Sequence, residues 1–172
     1  MESFLDMSSR SEIFSKKAIV LKSEDFDTEL VASFHKTVWI NGCFDLIHRG
    51  HLSLIRQAAS SGDCLIIGVN SDESVKKLKG PKRPINDENE RALALSEIAG
   101  VNFVVIFPDD SPLNVLQKIR PHIVLKDFFY SELKYPERDY LESINCEIRY
   151  LDHIVGLSTT EIEKKISDST KK

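Results

Sequence analysis

The chain has little of what marks exported, membrane-bound or nucleic-acid-binding proteins. Its 172 residues include three cysteines, Cys43, Cys64 and Cys146. Their spacing fits neither a disulfide framework nor a zinc site. Cysteines used this way fit a reducing compartment, so a cytoplasmic location is expected. No apolar stretch approaches the ~20 residues needed to span a bilayer, and no membrane partner is expected. Met1 to Ser11 carries Glu2, Asp6 and several serines without a long apolar core, which is not the pattern of a secretory leader. A net charge of −4 and a pI near 5.8 argue against a broad basic face for nucleic acid. Basic residues gather only at Lys76, Lys77, Lys79, Lys82 and Arg83. No Gly-x-Gly-x-x-Gly follows the first apolar run, where Gly42 is followed by Cys43-Phe44, so the dinucleotide fingerprint is absent. Internal repeats and low-complexity tracts are absent as well.

What is present is a mixed-charge sequence, 41% apolar, with enough length and apolar content for one packed domain. Residues 1–16 are polar and irregular and read as a flexible or partner-bound tail, leaving 17–172 as a single domain. Ser23 to His35 carries a weak helical pattern. Apolar runs at Thr37–Asn41, Cys64–Asn70, Asn102–Phe107, His122–Lys126 and Cys146–Leu151 then alternate with helical segments. Runs apolar at consecutive positions predict strands buried on both faces. Asp87 with Glu90 predicts a capping box for a helix over Glu88–Ala99, ended by Gly100. Ser111-Pro112 predicts an N-cap and a first-turn proline for Leu113–Ile119. Pro136-Glu137-Arg138 opens another short helix. The alternation predicts an α/β fold, a Rossmann-like doubly wound sheet of about five parallel strands with helices on both faces.

The segment richest in chemistry is Gly42-Cys43-Phe44-Asp45-Leu46-Ile47-His48-Arg49-Gly50-His51. It lies between the run Val38-Trp39-Ile40 and a helical pattern beginning at Leu52. A helix start gathers unpaired N–H groups and the positive end of the helix dipole, and so attracts phosphate. His48 and His51, three residues apart, share one face of that first turn. The pattern points to a site that stabilises charge on a nucleotide phosphate. As metal ligands the two histidines lack a cysteine or carboxylate partner at ligand spacing, and no metal ligands are assigned. Asp45 reads equally as a helix cap or as a group orienting a histidine or substrate. Cys43 has no neighbouring base to activate its thiol and reads as a spacer. Gly42 lets the backbone approach the nucleotide. Farther on, Ser158 or Thr159 reads as the N-cap of a last helix. Arg91 on its own reads as a salt-bridge partner of Glu88 or Glu90.

Gly-x-Phe-Asp-x-x-His-x-Gly-His resembles the signature of the cytidylyltransferase-like nucleotidyltransferases, and the chain from Ile19 to Ile166 is most similar to their heptose 1-phosphate adenylyltransferase branch. These enzymes couple a nucleoside triphosphate to a phosphorylated small molecule and release pyrophosphate. The resemblance implies that His48 and His51 hydrogen-bond the triphosphate and that Lys79, in Leu78-Lys79-Gly80-Pro81-x-Arg83-Pro84, approaches the transferring phosphates. It implies that Ser158, Thr159 and Thr160 grip the β- and γ-phosphates. It places Asn41, Gly42, Cys43, Phe44, Asp45, Gly50, Arg91 and Lys126 around the nucleotide. It also implies Mg2+ accompanying the triphosphate, and a homodimer.

The sequence departs from that branch at three places. Lys126-Asp127-Phe128-Phe129-Tyr130 stands where the family has Lys-Gly-Gly-Asp-Tyr, Val155 replaces a glutamate, and Ile40 replaces a threonine. These changes remove small or polar groups near the sugar or base, and they mark Asp127, Phe129 and Tyr130 as a candidate acceptor pocket. ATP with a sugar phosphate such as heptose 1-phosphate is the leading expectation. CTP with glycerol 3-phosphate or another polyol or sugar phosphate is the alternative, and a non-catalytic nucleotide sensor is a second.

Overall fold

The computed structural model describes residues 17–151 together with Asp168. The expectations for residues 1–16 and for Val155 and Ser158, Thr159 and Thr160 fall outside that range. The apolar runs form strands: β1 (Ile19–Lys22), β2 (Thr37–Gly42), β3 (Cys64–Asn70), β4 (Phe103–Phe107), β5 (Ile123–Asp127) and β6 (Glu147–Leu151). They make one sheet in the order β1-β4-β3-β2-β5-β6. Every pairing is parallel. The five expected strands are all there, and the short β1, paired with β4, adds a sixth at one edge. The stretch after β1, expected to be weakly helical, forms only a 3-10 turn at Thr28–Val31, capped by Asp27.

Successive side chains of a strand point to opposite faces, so a strand buried on both sides feeds two cores. Val38, Ile40, Leu65, Ile67, Val104, Ile106, Ile123 and Leu125 pack on one face. They meet Ile55 and Ala58 of α1 (Arg49–Ala59) and Ala92 and Leu95 of α3 (Glu88–Ser96). Trp39, Ile66, Phe103, Val105, Phe107 and Val124 line the other face. There they meet Val115, Leu116 and Ile119 of α4 (Leu113–Ile119) and Leu141 of α5 (Arg138–Ser143).

Between β3 and α3 lies a helix that the clustered lysines had concealed, α2 (Asp72–Lys79). Ser71 caps it by accepting from the Ser74 N–H at 3.2 Å. Asp72 and Glu73 stand at its positive end and Lys76, Lys77 and Lys79 at its negative end, which suits the helix dipole. Gly80 closes it at φ +93°, a left-handed conformation that favours glycine. The basic segment is therefore a helix end followed by a loop, not a loop throughout. Asp87 caps α3 as expected, accepting from the N–H groups of Asn89 and Glu90, although the helix ends at Ser96 and not at Ala99. At α4 the cap differs by one residue. Pro112 is the N-cap, and Ser111 Oγ accepts from the Leu113 N–H.

The chain builds outward from β2 through β3 to β4, then crosses to β5 and β6 on the other side. The strand order therefore reverses between β2 and β5, and a ligand in an open parallel sheet binds beyond the strand ends at such a point. β2 runs beside β3 as far as Gly42, but its register with β5 covers only Val38 and Trp39. The described pairing of the two strands thus stops before β2 ends, which puts Asn41 and Gly42 at the switch point where a ligand crevice is expected. Among the described residues no helix is long and apolar enough to cross a membrane.

Candidate active site

The loop leaving β2 enters the crevice directly. Phe44 takes φ +50°, a left-handed conformation that costs a bulky residue about 1–2 kcal/mol. Its ring is buried and packs against His51, with centroids 5.0 Å apart. A Cβ on Gly42 would lie 3.3 Å from that ring, so the glycine accommodates the Phe44 turn.

His48 is the N-cap of α1, and its Nδ1 accepts from the Gly50 N–H at 3.1 Å. With Nδ1 used as an acceptor, the proton of a neutral ring lies on Nε2. His51, one turn on, stacks on His48 with centroids 3.8 Å apart and 22° between planes. Its Nδ1 is buried without a hydrogen-bond partner. Burial, then the neighbouring His48 and Lys79 charges, depress the His51 pKa to about 4, with the Leu46 carbonyl opposing weakly. His51 is therefore uncharged near neutrality. The exposed Lys79, at the end of α2, is close enough to act on both His51 and Cys43. The structure thus stacks the two imidazoles at the start of α1, and the charge of Lys79 at the end of α2 acts on His51.

Asp45 is a buried strut. It takes a salt bridge from Arg83, and its Oδ1 accepts from the N–H groups of Ile85 (2.8 Å) and Asn86 (3.1 Å). Its own carbonyl accepts from Asn86 Nδ2 at 2.8 Å. Burial alone would raise its pKa, but the Asn86 amide, Arg83 and the Ile85 amide together hold it below the usual carboxylate value. Asp45 thus ties the histidine loop to the loop after α2, and it does not cap α1. Arg91 forms a salt bridge, but to Asp72 (2.7 Å) rather than to Glu88 or Glu90. Its other donors reach the Cys43 carbonyl at 2.5 Å and the Asn86 carbonyl at 3.0 Å. Asn41, at the mouth, accepts from the Trp39 indole N–H at 3.2 Å. Cys43 is half-buried, and burial raises its thiol pKa, in keeping with a spacer.

On the β5 side, Lys126 is buried and donates to Glu137 at 2.6 Å. Its ammonium lies 4.5 Å from the Tyr135 ring centre and 5.2 Å from that of Tyr130. Glu137 also accepts from Ser111 Oγ at 3.0 Å. Asp127 caps the short 3-10 turn Phe128–Tyr130 by accepting from the Phe129 N–H. Phe128 is 56% and Phe129 71% exposed, so the rings standing where the family has its second glycine and its aspartate project into solvent. Sequence reasoning gave no role to Arg83, Asn86 or Asp72. Arg83 and Asn86 lay in or just after the basic cluster and Asp72 just before it, with nothing else to mark them. Glu137 stood out only as the opening of a helix, eleven residues from its partner lysine.

An open parallel sheet with a histidine-bearing helix start at its switch point defines a nucleotide-handling α/β domain. The profile of the cytidylyltransferase-like family matches residues 39–170, and the chain belongs to that family as a nucleotidyltransferase domain. It is 43% identical over 134 residues, 78% of its length, to the bifunctional protein HldE of Campylobacter concisus. It is 40% identical over 131 residues, 76% of its length, to that of Syntrophotalea carbinolica. The chain spans only 28% and 27% of these two proteins. The crystal structure of the lipopolysaccharide core biosynthesis protein from Thermoplasma volcanium GSS1 is similar in fold, with a TM-score of 0.55 and 25% identity. That likeness covers 69% of this chain and 95% of the other.

Proposed function

We propose that this domain transfers AMP from ATP to a sugar phosphate such as heptose 1-phosphate and releases pyrophosphate. The observation that carries the proposal is the stacked pair of imidazoles at the start of α1. In the reaction an oxygen of the acceptor phosphate attacks the α-phosphorus in line. A new P–O bond forms, the bond from the α-phosphorus to the bridging oxygen breaks, and pyrophosphate leaves. The acceptor oxygen is already ionised at pH 7, so no general base or covalent intermediate is required. Catalysis then consists of positioning and charge stabilisation. His48 and the uncharged His51 serve as N–H donors to the charge that develops on the phosphates, each worth about 3–4 kcal/mol if well placed. Lys79 offsets the repulsion between the two phosphate groups.

Mg2+ supplies further charge neutralisation to the triphosphate it accompanies. Among the described residues no group of three or more His, Cys, Asp or Glu side chains is placed to hold a metal ion. Its proposed ligands are phosphate oxygens and water, with few from protein.

A second reading, CTP with glycerol 3-phosphate or another polyol or sugar phosphate, draws on the bulky Phe128–Tyr130 turn where the adenylyltransferase branch has glycines. Pyrophosphate release across a matrix of four nucleoside triphosphates and a panel of sugar and polyol phosphates tests both readings. Turnover with ATP and a sugar 1-phosphate is the expected result. Turnover confined to CTP selects the second reading. Tight triphosphate binding with no turnover in any cell of the matrix overturns both in favour of a sensor.

A further inference from the structure

The candidate donors lie on two separate helices, His48 and His51 at the start of α1 and Lys79 at the end of α2. The two helices follow neighbouring strands, β2 and β3, and two buried guanidiniums and one buried carboxylate further tie their ends together. Arg83 and the N–H groups of Ile85 and Asn86 converge on Asp45, so the loop that begins at Gly80, next to Lys79, is bound to the histidine loop. Arg91 joins three places at once, the Cys43 carbonyl in the histidine loop, the Asn86 carbonyl in the second loop and Asp72 in the first turn of α2. Asp72 is held in turn, its N–H donating to Glu88 at 2.8 Å, and Glu88 bonds Lys22 at the end of β1. Asp45 is 2% exposed and Arg91 1%, so neither side chain is open to a ligand in the crevice. A guanidinium is suited to this work because its donors lie in a rigid planar fork, whereas an ammonium's three donors rotate at the end of a flexible stem.

We propose that Asp45 and Arg91 are positioning residues that hold Lys79 in register with the His48–His51 stack. The inference rests on the transfer reaction proposed above. The network sets the relative placement of two cationic or N–H-donating elements and itself touches no substrate. Loosening it separates Lys79 from the imidazoles while leaving each of them intact.

The test uses the full chain with three substitutions, Asp45→Asn, Arg91→Lys and Asn86→Ala. The last removes one strut without leaving a buried charge unpaired, so it remains informative if the other two fail to fold. Two quantities are measured: kcat and KM for the triphosphate, and the titration of the His51 ring in the ligand-free protein by imidazole NMR. A misplacement on the ångström scale costs about 10²-fold. The expected result is a loss of that order in kcat for Asp45→Asn and Arg91→Lys, and a smaller one for Asn86→Ala, with KM close to the parent's. The His51 ring should titrate much as in the parent, since burial is the first cause of its depression and the network does not bury it. A raised KM with kcat retained overturns the proposal, because it assigns the residues to direct binding. So does an unchanged kcat. If the parent itself releases no pyrophosphate with any substrate pair, the transfer reaction fails, while the NMR measurement still reports whether the His51 site is intact.

Discussion

The rings of His48 and His51 stack 3.8 Å apart, and only one of the two, His48, has its Nδ1 engaged by the protein, through the Gly50 N–H. His51 is enclosed by His48 and Phe44 and has its pKa pushed down to about 4, first by burial and then by the charges of His48 and Lys79. A histidine with a depressed folded-state pKa binds its proton more readily when unfolded. Stability should therefore rise with pH between about 4 and about 6.5, and His51 should oppose folding fully only below that window. Integrated over the window, the contribution is about 3 kcal/mol. Urea unfolding at pH 7.5 and pH 4.5 should show a larger difference for the parent than for His51→Gln. Asp45 and Glu88, both held below their usual values, also lose stability as pH falls, from about 4.5 for Glu88, but that loss is common to the parent and His51→Gln and cancels in the comparison. A His51 ring that titrates near 6.5 by NMR would refute the placement of this side chain.

Replacing His51 by alanine removes one proposed donor while leaving the His48 cap on α1 intact. Turnover should fall by about 10²–10³-fold, with the circular dichroism spectrum unchanged. His51→Asn, which retains an N–H donor, should lose less. Near-normal turnover in His51→Ala would remove the imidazole pair from the mechanism.

The pair Lys126–Glu137 is buried on both sides, with side-chain exposures of 8% and 5%. Removing one member of such a pair leaves the other charged and desolvated. Glu137→Gln should therefore destabilise the protein by about 3 kcal/mol, as read by urea unfolding. Removing both charges, in Lys126→Met with Glu137→Gln, should recover much of that loss. Equal destabilisation by the single and double substitutions would show that the ionic pairing is immaterial.

Phe129 is 71% exposed on the turn beside the crevice, and its substitution should leave stability nearly unchanged. Phe129→Asp restores the acidic residue that belongs nearby in the adenylyltransferase branch. It should alter KM for the acceptor phosphate several-fold and leave KM for the triphosphate alone. If the acceptor preference and both KM values stay as they were, the Phe128–Tyr130 turn is not part of the acceptor pocket.

The strands were legible because burial on both faces makes their sequences almost continuously apolar, as in Cys64-Leu65-Ile66-Ile67. The histidine loop was legible because its chemistry is contiguous, from Gly42 to His51. What escaped was either amphipathic or distant. Helix α2 is short and nearly all polar, so its lysines looked like a loop, and β1 has just four residues. The partners of Asp45 lie 38 to 41 residues away, and Arg91 meets Asp72 across 19. Such pairings follow from the parallel topology, which brings the loops after β2 and β3 to the same end of the sheet.

That topology also makes one small residue in β3 decisive. A Cβ on Gly68 would lie 2.3 Å from the Trp39 ring and 3.1 Å from Asn41 Cβ. Trp39 is fully buried and donates its indole N–H to Asn41, which stands at the mouth of the crevice. Gly68→Ala should therefore displace the indole, destabilise the core by about 1–3 kcal/mol and disturb Asn41. Trp39 is the only tryptophan in the chain, so its fluorescence reports the displacement directly. The substitution should shift the emission spectrum, lower the urea midpoint and raise KM for the triphosphate. A lowered midpoint with unchanged KM would detach Asn41 from nucleotide binding, and an unchanged midpoint and spectrum would show that the indole repacks without cost.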